Sequence, residues 1–160
     1  MSQSQPSDTA GVTVLPPLVY AGGLVVGYIV QFILPIAVAP PTFDVAIRVL
    51  GVLLVLFGGY LMFTALGLFQ KVGTPVSPHE PTRALTFDGP YRYTRNPIYL
   101  GMALILAGLA LVGNALWPLL AVIPVIWWIT TQVIVREERY LEAKFGAPYA
   151  DFKKRVRRWL

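Results

Sequence analysis

The stretch Gly89–Gly101, GPYRYTRNPIYLG, packs two arginines, two prolines and three tyrosines into thirteen residues. Arg95 offers a planar guanidinium suited to a carboxylate or phosphate. Asn96 and Pro97 read as the cap and first residue of a helix. A helix starting there presents free backbone N–H groups and the positive end of its dipole. Gly101, one turn further in, leaves room for close approach to the backbone. A second group, Glu137–Glu138, follows the last uncharged run. Carboxylates at a helix C-terminus oppose its dipole, so the helix continues or a cation faces them. Donors in one group and acceptors in the other suit a ligand with a carboxylate, an ammonium and sugar hydroxyls. Each group also has a plain structural reading. The tyrosines are then interfacial, Arg92 and Arg95 mark the cytoplasmic side, and the acids are solvated beside Arg136 and Arg139.

The composition says what must position these groups. Hydrophobic residues make up 56% and charged residues 13%, about half the charge of a usual soluble domain. There is no cysteine, which excludes disulfides, thiolate metal sites and cysteine nucleophiles. A single histidine, His79, argues against a histidine-built metal site, so no metal is expected. Of 13 Lys and Arg, four lie from Lys71 to Arg95, eight from Arg136 to Arg158, and Arg48 stands apart. Beside long apolar runs, this clustering points to membrane topology and anionic lipid contact rather than nucleic acid.

Residues 1–14 read as a flexible cytoplasmic tail, without the basic segment of a secretory signal. Residues 15–160 read as one membrane-embedded domain. The expected fold is all-α, with four transmembrane helices at about 15–39, 45–69, 97–113 and 115–135. The last two form a tight hairpin turning at Gly113–Asn114. A loop, 70–96, and a C-terminal region, 136–160, carry the basic clusters. The positive-inside rule then places both termini and both motifs in the cytoplasm. Gly146 is expected to end one helix and Pro148 to open another through Leu160. The apolar stripe of that last helix, Tyr149, Phe152, Val156 and Trp159, suits an anionic membrane surface or the protein's own cytoplasmic face. Gly23, Gly27, Gly58, Gly59, Gly101 and Gly108 suit close helix packing. The oligomeric state is open.

The ordered set Gly89, Tyr91, Arg95, Pro97, Tyr99, Gly101, Glu137, Glu138, Phe145, Gly146 and Tyr149 resembles the isoprenylcysteine carboxyl methyltransferase family, itself related to the phospholipid N-methyltransferases. The likeness covers about Gly73 to Leu160. It implies an integral membrane methyltransferase that uses S-adenosylmethionine and a lipophilic acceptor entering from the bilayer. The cofactor would then meet Gly89, Tyr91, Arg95, Asn96, Pro97, Tyr99, Gly101, Glu137 and Glu138. Arg95 and Glu138 would position donor and acceptor, with no general base assigned. Asn96 stands where the family has His and cannot accept a proton near neutral pH. Arg83 stands where the isoprenylcysteine enzymes often have another His. Arg83 and His79 are weaker candidates for substrate contact. Two other readings remain open: an NADPH-dependent membrane reductase like the sterol reductases, and a non-enzymatic membrane scaffold.

Overall fold

The computed structural model describes residues 9–73, 75 and 80–160. They are all-helical, with no strand among them and one isolated bridge between Ala37 and Ala115. Helix α1 (Pro16–Ile33) opens on two prolines, which tolerate the first turn because its N–H groups have no intrahelical partner. It stops short of the expected residue 39. Pro35 disfavours helix at the residue before it, and Leu34 is already non-helical at φ −130°. Residues 34–37 then run beside the far hairpin turn, where Leu116 N–H donates to Ile36 O at 3.0 Å.

Helix α2 (Asp44–Lys71) carries Asp44 in its first turn and Lys71 in its last, both favourable to its dipole. Helix α3 (Pro97–Val112) and α4 (Leu116–Ile129) form the expected hairpin. The residue in the left-handed region is Asn114, at φ 46°, not Gly113. Its side chain is fully used, donating to Ala39 O at 3.0 Å and Asp44 Oδ1 at 2.9 Å and accepting from Ala39 N–H at 3.0 Å.

One turn of π-helix, Thr130–Ile134, joins α4 to α5 (Val135–Phe145) without a break. Thr130 and Thr131 hydroxyls donate back to Ile126 O at 2.6 Å and Trp127 O at 3.0 Å, the kind of local bond that loosens a helical ladder. Gly146, at φ 61°, ends α5 as expected.

Among the described residues three helices are long and apolar enough to cross a membrane: Pro16–Ile33, Pro41–Lys71 and Leu116–Phe145. The expected fourth, α3, has 16 residues. At a rise of 1.5 Å per residue it reaches about 24 Å, less than a hydrocarbon core of about 30 Å.

Glycine pairs bring α2 and α3 into backbone contact. A Cβ at Gly58 would stand 2.6 Å from Gly101 O, and one at Gly101 the same distance from Gly58 O. Gly51 and Gly108 repeat the arrangement seven residues along each helix. Gly23 and Gly27 seat α1 on Val125 and Pro118 of α4. Gly59 meets nothing within 4 Å and has no part in the packing. Outward faces stay apolar, with Phe32, Phe63 and Trp127 well exposed, as lipid contact requires.

The C-terminal region departs from expectation. Helix α6 is Ala147–Arg155, and Val156 is already extended. Tyr149 and Phe152 are buried against Tyr91 and Ala65, so the apolar stripe faces the protein. Residues 156–160 run on as a non-helical strap, and Trp159 packs against the core cluster that includes Val133 and Ile134. At the other end, Val12 is buried and Gly11 O accepts from Arg136. Residues 9–14 therefore pack on the bundle, unlike a free tail.

Candidate active site

The turn before α3 sorts the opening motif into inward and outward residues. Gly89, at φ 56°, begins a 3₁₀ turn, Gly89–Arg92, whose Pro90 carbonyl accepts Tyr93 and Thr94 N–H at 3.1 and 3.2 Å. Tyr91 turns inward and stacks on Phe69, centroids 5.7 Å apart. Arg92 pairs with Asp88 on the surface, and Tyr93 is 76% exposed. Of the two arginines, only Arg95 points in. Its side chain is 9% exposed, and its Nε is buried with no hydrogen-bond partner.

Asn96 holds the cap position of α3 but makes no capping bond. Its amide donates instead to Arg158 O at 2.9 Å. The first intrahelical bond runs from Leu100 N–H to Asn96 O, 2.9 Å. The earlier N–H groups, on Ile98 and Tyr99, are left for another acceptor. The expected side-chain cap is thus replaced by a tie to the strap.

The two glutamates, adjacent on α5 and so about 100° apart around it, take different partners. Glu138 is 6% exposed. Arg95 Nη2 reaches its Oε1 at 3.0 Å. Arg158 grips it with two nitrogens, Nε to Oε1 at 3.0 Å and Nη2 to Oε2 at 2.7 Å. Glu137 accepts the Tyr99 hydroxyl on Oε1 at 2.6 Å. Tyr99 O in turn accepts from Tyr20 at 2.9 Å, tying α1 to the site.

These groups meet in a cavity of about 290 Å³, with Tyr91, Arg95, Asn96, Tyr99, Glu137 and Glu138 in its wall. Phe69, Phe87, Tyr149 and Phe152 form an aromatic side. Ala10, Leu15, Pro16 and Pro17 close it on the side of α1.

Within the long helical run Leu116–Phe145 the uncharged, lipid-suited part ends at Val135, and Glu137 lies on the polar end that begins at Arg136. Burial pushes its carboxyl up to about 7, with the nearby Glu138 adding to the rise and the Tyr99 hydrogen bond opposing it. Hydrogen bonding to Glu138 raises Arg158 above its ordinary value, against partial burial. The Glu137 shift has a sign. Folded protein keeps that proton up to about pH 7, while an unfolded chain releases it near 4.5. Its stabilising contribution is complete below 4.5 and lost as pH rises through 7. Thermal unfolding in detergent across that window should show wild type losing stability relative to Glu137→Gln. Parallel profiles would contradict the burial of this carboxyl.

Several expected site residues lie elsewhere. Gly101 packs against Gly58 of α2; the backbone approach it permits is made by a helix, not a ligand. Gly89 lies against Leu68. Neither is in the cavity wall, and Arg83 is exposed and also outside it. His79 lies outside the described residues. Pro97 does line the cavity. Arg158, which grips Glu138, and the N-terminal residues of the wall are not among the expected site residues. A buried carboxylate demands a cation, but eight Lys and Arg follow Val135 and spacing alone does not choose among them.

Helices apolar and long enough to cross a membrane, with a largely apolar cavity into which Arg95, Glu137 and Glu138 enter, describe an integral membrane protein with a candidate site at one end. The family model for phospholipid methyltransferase matches residues 46–148, and the chain belongs to that family. It is thereby a membrane methyltransferase. Among curated proteins it is 38% identical over 81 residues to the Protein-S-isoprenylcysteine O-methyltransferase of Schizosaccharomyces pombe. That match spans 50% of this chain and 34% of the yeast protein. It is 49% identical over 65 residues, 39% of this chain, to the whole of an uncharacterized protein of Haemophilus influenzae. No solved structure matches it.

Proposed function

We propose that the chain transfers a methyl group from S-adenosylmethionine to a lipophilic acceptor held by the membrane. What carries this reading is the convergence of Arg95, the uncapped N–H groups of α3 and Glu137 on one cavity at the polar end of apolar helices. The residues fit the donor. Arg95 has a buried Nε–H without a partner, which suits a carboxylate together with the helix N–H groups. Glu137 has one oxygen held by Tyr99, and the other suits an ammonium or ribose hydroxyl. Glu138 is occupied by two arginines and acts by holding Arg95. The aromatic wall suits an adenine ring, and the Tyr91 and Tyr99 faces suit a sulfonium.

When bound, S-adenosylmethionine supplies a methyl group already activated on sulfur. The protein's own task is then to orient the two reactants and exclude water. A carboxylate acceptor needs no base. An amine or thiol releases a proton, and Glu137, raised to about 7, is the cavity carboxylate matched to receive it. The site faces the cytoplasm, where both basic clusters belong, and exposed Lys154, Arg155 and Arg157 meet anionic headgroups there.

Membranes containing the protein, incubated with methyl-labelled S-adenosylmethionine, should place label in an organic-extractable product. Label confined to the aqueous phase, equal to that of membranes lacking the protein, would contradict the acceptor class.

A further inference from the structure

We propose that Arg158 is a positioning residue that holds the donor end of the site from behind the cavity wall; this rests on the donor assignment above. Arg158 does not line the cavity. It is bonded to two residues that do, and its backbone neighbour to a third. Its guanidinium grips Glu138 at 2.7 and 3.0 Å. Its carbonyl accepts the Asn96 amide at 2.9 Å and the Thr94 hydroxyl at 3.1 Å. One residue earlier, Arg157 O accepts Arg95 N–H at 3.0 Å. Strap residues 157 and 158 therefore hold the Arg95 backbone and the Thr94 and Asn96 side chains, together with the carboxylate that orients the Arg95 guanidinium.

Two consequences follow physically. By taking the Asn96 amide, the strap keeps it from turning back over the start of α3. By taking both oxygens of Glu138, Arg158 leaves Arg95 only an Oε1 contact through Nη2 and keeps the remaining donors of its fork for an anion. Arg92, exposed on the turn before α3 and paired with Asp88, carries the same charge and is the control.

Three proteins test this in detergent: Arg158→Gln, Arg158→Lys and Arg92→Gln. Misplacing a binding group by about an ångström costs up to about a hundredfold. Arg158→Gln should weaken S-adenosylmethionine binding by about 10- to 100-fold and raise the donor KM while leaving the acceptor KM unchanged. Arg158→Lys keeps charge but not the two-pronged grip, and should recover part of the loss. Arg92→Gln should bind like wild type. In the unliganded protein, amide exchange at Arg95 should accelerate by about tenfold in Arg158→Gln. Unchanged donor affinity in Arg158→Gln overturns the proposal. So does a loss that Lys does not relieve and that strikes both KM values equally, since that marks general destabilisation. Should Arg158→Gln not fold, donor affinity of Arg158→Lys equal to wild type overturns it. Wild type that binds no S-adenosylmethionine fails the donor assignment instead, and the Arg95 exchange rate still reports on the brace.

Discussion

Glu138→Gln should be the most damaging single substitution in the site, costing about 3–5 kcal/mol of stability. Glu138 is the common partner of two guanidiniums: Arg95, with a side chain 9% exposed, and Arg158, at 35%. A neutral amide leaves the Arg95 charge enclosed without a counter-ion, and one whose Nε already lacks a partner. Uncompensated buried charge is far costlier than the pair is stabilising. The Arg158 leg contributes less, because solvent screens it. Chemical or thermal unfolding of purified protein measures the effect. A loss below about 1 kcal/mol would mean that the pair is solvated.

Arg95→Ala should separate binding from stability. Glu138 keeps its two bonds to Arg158, so the carboxylate is not orphaned and the fold is largely retained. The anion end of the cavity loses its fork. Each hydrogen bond to a charged group is worth about 1.5–3 kcal/mol, so loss of two weakens donor binding by about a hundredfold or more. Arg92→Ala, on the exposed face of the same turn, should leave binding unchanged. Equal effects of the two substitutions would reduce the motif to a topology signal.

The helices were legible from the sequence because uncharged runs and proline breaks mark them directly. The hairpin's far turn and the stop at Gly146 were legible because Gly and Asn tolerate the left-handed backbone that ends a helix. The end of α1 was not, since apolar residues continue to Ala39 while Pro35 has already broken the helix. The strap was hidden by its own pattern. Val156 and Trp159 keep helical spacing with Tyr149 and Phe152, yet bonds from Thr94, Arg95 and Asn96 draw residues 157–158 out of the helix. Arg95 and the glutamate pair could be singled out, but not the division of labour between Glu137 and Glu138. That depends on the phase of α5 relative to α3, which follows a π turn between them. Gly101 permits close approach without saying what approaches, and here it is Gly58 of α2.

The central claim is that this cavity binds a methyl donor, and titration calorimetry on the purified protein in detergent tests it most directly. Titration with S-adenosylmethionine should give saturable heat at a single site, and titration with NADPH should give none. Saturation by NADPH, or no heat with S-adenosylmethionine, would contradict the account.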